Sequence, residues 1–496
     1  MKIAGHALLF ALFLAQPALA GMWAPPGEST LRGDLALLVD SGRIELPLSS
    51  WPIPRVDIEH QVAIAEDDAD WSPAESAALA RVQAWISSQH REDGDVVVTT
   101  HVAAALRPVQ FRTFDSTPRE QGEMGAAVDW EAERWFGNLE ATGVSTPSDG
   151  QRARPDGTYI GSYLGRWYLS VGWLDRWWGP GREGSLILST NARPMPGISF
   201  DRATSAPFES RWLQWIGPWT YSMFLSQMEG GRQDVSKALF FGQRLTFRPL
   251  ASLELGISRT AQFCGSGRLC NLNTFKNMLF GSDNRGQNVS ARDEPGNQMA
   301  GFDARWTPAR RLPLVLYTQW IGEDQQGLIP FKYLGLLGAE TWKGLASGAQ
   351  LRIHVEFADT ACSWYRSTPI FGCSYTQSIF NVEGYRYRGR SIGDSIDADG
   401  REISAGFDLI GNHGAHWVGL VRRIDLDRSG VIDVRNQASS VPRRVSLAEL
   451  RYERDTVIGH VTLGVGFEEN FDKLAATTTR TGQGFLQIEH AFGPWR

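Results

Sequence analysis

The residues best suited to chemistry fall in two short stretches. The first runs Arg176-Trp177-Trp178-Gly-Pro-Gly181 and continues to Asn191 and Arg193; the second is Tyr385-Arg386-Tyr387-Arg388. Sugar rings present C–H faces that stack on indole and phenol. Their hydroxyls bond to amides and guanidinium groups, and arginine pairs bidentately with carboxylates. Arg176, Trp177, Trp178, Asn191, Arg193, Tyr385, Arg386, Tyr387 and Arg388 are therefore the candidate ligand-binding residues. The same residue types also suit a packed interior or a membrane interface, since Trp favours places with one dry and one wet end.

No catalytic constellation stands beside them. The sequence has no His-Glu-x-x-His or phosphate loop, and no catalytic residue, metal ligand or cofactor is assigned. His413 and His416 share a hairpin turn and read as solvated. Asp397 and Asp399 lie in a glycine-rich turn and read as loop solubility. Asp425-Leu-Asp427-Arg-Ser429-Gly430 begins like a calcium loop, but its twelfth position is Asn436 rather than a bidentate Glu, so it reads as a plain turn. A net charge of −6 argues against a nucleic-acid partner.

The elements that position these residues follow from the patterning of the 496-residue chain. Lys2, the apolar run 7–15 and the small-x-small site Ala18-Leu19-Ala20 predict a signal peptide over 1–20, and hence export. The four cysteines form two local pairs, Cys264 with Cys270 and Cys362 with Cys373. In an oxidising compartment they predict two loop-stapling disulfides; a zinc site would want Cys-x-x-Cys spacing, which is absent. Residues 21–92 predict a small helical unit. Leu31, Leu35, Leu38 and Val39 recur at helical spacing before Gly42. A second helix starts at Ser72-Pro73 with Glu75 completing a capping box, and runs to about His90. Between them Trp51-Pro-Ile-Pro54 reads as a rigid connector.

From about residue 93 the period becomes 2. In 351–357 every odd position is apolar and every even one ionisable; 253–258 and 461–467 alternate likewise. We count 16 to 18 such strands, several near the ten residues a tilted span needs. Short turns are expected at 248–251, 307–313, 343–348, 411–414 and 454–455. Long loops are expected at 263–298, 323–331, 360–400, 426–442 and 468–482, and the two sets interleave. Barrel strands of an outer membrane connect in this way. The first half, 93–210, does not register from sequence. The strand-like 385–388 reads as folding over or into the lumen rather than spanning.

Several of these pieces together resemble one family. Arg176-Trp-Trp-Gly-Pro-Gly181, Ser185-Leu-Ile-Leu-Ser189 and Asn191-Ala-Arg-Pro194 resemble the capsule assembly protein Wzi family. So do 31–42 leading to Trp51-Pro-Ile-Pro54, Arg244-Leu-Thr-Phe-Arg-Pro249, and 384–393. Thr190 and the terminal Arg496 depart from the pattern. The resemblance spans about 23 to at least 410. It implies an all-β transmembrane antiparallel β-barrel of about 18 strands over 93–496, with a small N-terminal α-helical periplasmic unit. It further implies a lectin-like outer-membrane protein that anchors and organises capsular polysaccharide, its barrel occluded. The partners then expected are capsular or other surface polysaccharide, outer-membrane lipid and, as a candidate, the polysaccharide-export machinery, around a monomer. The alternative is a porin or transporter for sugars or oligosaccharides.

Overall fold

The computed structural model describes residues 21–65, 70–89, 94–280, 296–309, 312–326, 329–376, 383–430, 436 and 438–495. The signal peptide expected over 1–20 lies outside the described residues. Antiparallel strands close one barrel, the first, Val96–Ala105, pairing with the last, Thr477–Trp495. Ala153–Arg154 and Tyr159–Leu164 are two pieces of one strand, since both bond to Trp135–Ser145; the barrel thus has eighteen strands. This break, and strands as short as Trp167–Trp173 and Pro196–Arg202, hid the register of the first half.

Strand Gln350–Asp359 shows which solvent surrounds the barrel. Gln350, Arg352, His354 and Glu356 are buried, while Ile353 and Val355 are 45% and 51% exposed. Leu139, Ile257, Phe302, Ile403, Val421, Leu463 and Phe467 are likewise exposed on other strands. Apolar outside and ionic inside is the reverse of a water-soluble fold. It is stable only where lipid faces the outer surface and a closed ladder satisfies every strand edge.

Connections at one barrel end, which also carries residues 96 and 495, are mostly short; we call it the turn end. The opposite, loop end carries 106–121, 174–195, 228–238, 264–280, 360–376, 383–400 and 427–430. The predicted turn at 454–455 falls at 457–458, because Thr456 pairs with Gly459. Two predicted long loops are largely strand: Leu314–Gln326 meets Ile329–Gly344, and Gly459–Asp472 meets Thr477–Trp495. The tip of the second hairpin is polar because it stands in water, as at the exposed Arg480–Glu469 pair (2.8 Å). The sequence pattern of water is the same for a loop and for a strand tip. Both disulfides form at the loop end, Cys264–Cys270 and Cys362–Cys373.

Among its described residues the N-terminal unit has three helices: α1 (Ser29–Asp40), α2 (Arg55–Ala65) and α3 (Pro73–Gln89). The capping box is present, with Glu75 N–H donating to Ser72 Oγ (3.3 Å) and Ser72 N–H to Glu75 Oε2 (2.8 Å). Helix α2 was not anticipated; its core-facing Ile58, Val62 and Ala65 are interleaved with charged and polar residues. Helix α1 does more than dock on the turn end. Eleven of its twelve residues are buried, and Asp40 reaches Arg305 (2.7 Å) and Arg352 (2.9 Å) on the inner wall.

Candidate functional site: the packed lumen and the loop end

Two chain segments meet inside the barrel. Ser50–Trp51, from the N-terminal connector, pairs antiparallel with Trp177–Trp178, from the loop-end segment 174–195. Trp51 and Trp177 both pack edge-on to Phe114, at 5.0 and 5.6 Å. Around them Leu35, Leu38, Ile187, Ile392, Leu336 and Ile424 make one hydrophobic cluster spanning helix, plug and wall. A dry core therefore fills a lumen whose wall is polar.

Wall carboxylates hold the inserted loops. The backbone N–H groups of Arg182, Glu183 and Gly184 donate to Glu356 at 2.9, 3.2 and 3.1 Å, and Tyr317 adds its hydroxyl at 2.9 Å. Glu254 receives the N–H of Leu48 and Ser49 in the same way, at 3.0 and 2.7 Å. Each carboxylate satisfies backbone donors that the lumen would otherwise leave unpaired. The turn needs glycine for close approach: a Cβ on Gly181 would strike the Gly184 carbonyl, and one on Gly184 would strike Asp394.

The candidate residues fall into this frame. Arg176 grips Asp201 with two bonds (2.8 and 3.0 Å) and Ser222 (2.7 Å). Trp177 and Trp178 are wholly buried; Trp177 Nε1–H donates to the Gly181 carbonyl (3.1 Å), and the Trp178 carbonyl accepts from Gln319 (2.7 Å). Asn191 donates to the Ser391 carbonyl (2.9 Å). Arg193 binds Asp156 (2.7 Å) and Asp149 (2.6 Å). Tyr385 donates to the Ile187 carbonyl (2.7 Å) and stacks on Tyr375 at 5.7 Å. Arg386 pairs with Asp397 (2.6 Å). Tyr387 is buried beneath the Arg388 guanidinium, 5.3 Å from its ring centroid. Arg388 alone of the nine is half-buried rather than buried. As expected, 385–388 folds inward; Arg386–Tyr387 and Arg390–Ser391 form a small hairpin there.

Two readings need correction. Asp397 and Asp399 are buried, not solubilising, because Asp397 neutralises Arg386 and Asp399 accepts the Gly372 N–H (2.7 Å). His416 is buried and bonds Asp408 (3.1 Å) and Thr30 (3.1 Å), so it ties α1 to the wall; His413 is exposed. Asp425 is held by Arg444 (3.0 Å) and Lys473 (2.8 Å) across the hairpin.

Asp394, in the inserted loop 360–400, offers a pH test. Burial, with help from the nearby Glu402 charge, raises its carboxyl to about 8. Its Oδ2 finds no hydrogen-bond partner among the described residues. The folded state thus holds a proton that the unfolded chain, titrating near 4, releases. Loop docking is strongest below about pH 4 and weakens as pH rises towards 8. Protease protection of 360–400 is expected to fall over that range, and Asp394→Asn to flatten the fall. An unchanged slope in Asp394→Asn assigns the effect elsewhere.

At the loop end the plug leaves a cleft lined by Arg119, Glu120, Ser148, Asp149, Arg154, Arg193, Tyr387, Arg388 and Arg390. Arg193, Tyr387 and Arg388 were singled out from sequence; Arg119, Arg154 and Arg390 were not. The signal for Arg390 was its place in the 384–393 stretch. For Arg119 and Arg154 no local pattern exists, because one comes from a loop and the other from a short strand piece far from it in sequence.

A closed barrel with a lipid-facing exterior and a lumen packed by its own chain defines an occluded outer-membrane β-barrel. The Wzi capsule assembly profile matches residues 98–409, and the chain belongs to that family. A 55.8 kDa protein from the cps region of Klebsiella pneumoniae is 34% identical over 394 residues, 79% of this chain and 75% of that protein. The solved structure of Wzi from Escherichia coli superposes with a TM-score of 0.80 at 28% identity, covering 96% of this chain and all of that one. That protein is described as a carbohydrate-binding β-barrel of the outer membrane involved in group 1 capsule assembly.

Proposed function

We propose that this protein binds a capsular polysaccharide at its loop end, without turnover, and so anchors and organises the capsule at the cell surface. The loop end then faces outward, and the helical unit with the turn end faces the periplasm, after removal of residues 1–20. The observation that carries the reading is the filled lumen. A barrel packed by Trp51, Trp177, Trp178 and α1 has its function on its outer surface rather than in a conduit. That surface carries guanidinium groups suited to sugar hydroxyls and carboxylates. The likeness to a carbohydrate-binding barrel supports the same assignment.

The test is deletion of the protein followed by measurement of cell-bound and released capsule. Loss of cell-bound polysaccharide with a matching gain in the medium is expected. Unchanged retention removes the role. The porin alternative predicts sustained conductance of the wild-type protein in planar bilayers; the packed lumen predicts none.

A further inference from the structure

The loop-end cleft has an uneven charge balance. Arg154 and Arg193 are fully engaged: Arg154 binds Glu120 and Asp149 (3.1 Å), and Arg193 binds Asp149 (2.6 Å) and Asp156 (2.7 Å). Their neighbours are held quite differently. Arg112 donates to the carbonyls of Thr117 (2.6 Å) and Thr190 (3.2 Å). Arg119 donates to the carbonyls of Thr190 (2.8 Å) and Asn191 (3.0 Å), with Asp175 at the outer limit of pairing, 3.8 Å away. Arg390 donates to the Gln110 carbonyl (3.1 Å) and approaches Asn191 Oδ1 (3.4 Å). The three surround the short strip 190–192 and bond it through neutral oxygens.

Such bonds orient the guanidinium groups without neutralising them. The consequence is visible in the acidity of Arg112 and Arg390. Burial, reinforced by the Arg119 charge, lowers Arg390 to about 10, and burial with Arg119 and Arg390 lowers Arg112 well below the ordinary arginine range. Like charges are crowded here, and a bound anion would relieve them. Arg112 lies deepest, while Arg119, Arg388 and Arg390 are half-buried and reachable.

Arg388 stands at the tip of the hairpin that carries Arg390. Arg388 and Gly389 both have positive φ, 50° and 76°, as a two-residue type I′ turn requires. Asn or Gly is the residue such a position favours. An arginine there is costly to the backbone, which fits a requirement for its charge at that point.

We propose that Arg119, Arg388 and Arg390, backed by Arg112, form an anion subsite that takes the carboxylate of an acidic sugar residue in the surface polysaccharide. This rests on the carbohydrate-binding reading and names the chemical class it selects. A planar carboxylate matches the guanidinium fork, and Tyr387 beneath Arg388 keeps that group in place.

The test uses the full-length barrel in detergent micelles. The probe is capsular polysaccharide from the same bacterium, before and after reduction of its carboxyl groups to neutral alcohols. Binding is measured for the wild type, Arg119→Gln/Arg390→Gln and Arg388→Asn. The last is chosen because Asn suits the turn, so the hairpin keeps its fold while losing its charge; heat-modifiable gel mobility checks this. Wild-type affinity is expected to fall about tenfold or more on carboxyl reduction, and by a similar factor in both variants with native polysaccharide. Equal binding of native and reduced polymer by the wild type overturns the subsite and leaves carbohydrate binding standing. Wild-type affinity in a folded Arg388→Asn together with the double variant places the anion elsewhere and also overturns it. Failure of the wild type to bind native polysaccharide overturns the carbohydrate-binding reading itself.

Discussion

Trp177→Ala will open the lumen of this barrel without unfolding its wall. Trp177 is wholly buried, pairs with Trp51 through the backbone, packs edge-on to Phe114 and hydrogen-bonds the Gly181 carbonyl. Truncating a buried tryptophan costs about 3–5 kcal/mol, through lost transfer energy and the cavity left behind. The eighteen-strand ladder does not depend on that ring, since no wall hydrogen bond passes through it. The loss therefore falls on the contact between the N-terminal connector and segment 174–195. Planar-bilayer recordings are expected to show conductance in Trp177→Ala and none in the wild type, while heat-modifiable gel mobility is retained. If Trp177→Ala instead stays closed and folded but releases polysaccharide, Trp177 contacts the ligand directly and the plug assignment fails.

The second large effect is expected at Asp40. Its carboxylate, at the C-terminal end of α1, is shared by Arg305 (2.7 and 2.9 Å) and Arg352 (2.9 Å), and Arg352 also pairs with Glu340 (2.6 Å). Asp40→Ala leaves Arg305 buried with no carboxylate in contact among the described residues. Removing one partner from a buried ion pair costs about 3–5 kcal/mol, because the remaining charge stays desolvated and unpaired. Helix α1 also bonds the plug, Arg32 donating to the Pro180 and Gly181 carbonyls (3.1 and 2.9 Å), so its release should loosen both closures together. Limited proteolysis is expected to cleave the N-terminal unit of Asp40→Ala first, with the strands protected. Protection equal to the wild type would mean that α1 is held by its apolar face alone. Asp40→Ala combined with Trp177→Ala should be less than additive, since both release the same contact between helix, connector and plug.

How much of this was legible depends on the range of the interaction. Period-2 alternation in 351–357 is a local property, so the strand and its two faces were readable. Local too were the capping box at Ser72 and Glu75, and the cysteine pairs, six and eleven residues apart. The turn expected at 454–455 lies at 457–458 and two expected loops are largely strand, because polarity reports water and not backbone conformation. Helix α2 was passed over because its apolar positions alternate with residues that other elements bury, such as Arg55, which pairs with Glu131 (2.8 Å), and Asp57, which holds Ser205 (2.8 Å).

The candidate site divides in the same way. Residue types in 176–193 and 385–388 single out two stretches as candidates, and both are inserted segments. Types could not say which side chains face inward, since a buried Arg–Asp pair and a sugar-binding arginine look alike in sequence. Arg386 meets its partner Asp397 eleven residues on, but Arg176 needs Asp201 from the wall, and Arg182 needs Asp408 (2.6 Å). Nor could spacing bring Arg112 and Arg119 beside Arg390, some 270 residues away in sequence.

By itself, then, the sequence determined an exported β-barrel chain with a helical start, stapled loops, and two aromatic and arginine-rich stretches of interest. Those are consequences of periodicity, composition and short spacing. Only the tertiary structure decided that Trp177 meets Trp51 in a closed lumen, that Glu254 and Glu356 hold the inserted loops, and that most of the candidate arginines are neutralised. It also placed Arg388, the candidate arginine whose guanidinium forms no ion pair among the described residues, in one cleft with Arg119 and Arg390, whose guanidinium groups donate to backbone carbonyls. The physical reason is that charge compensation is set by distances of a few ångströms between residues far apart in the chain, and no local pattern encodes them.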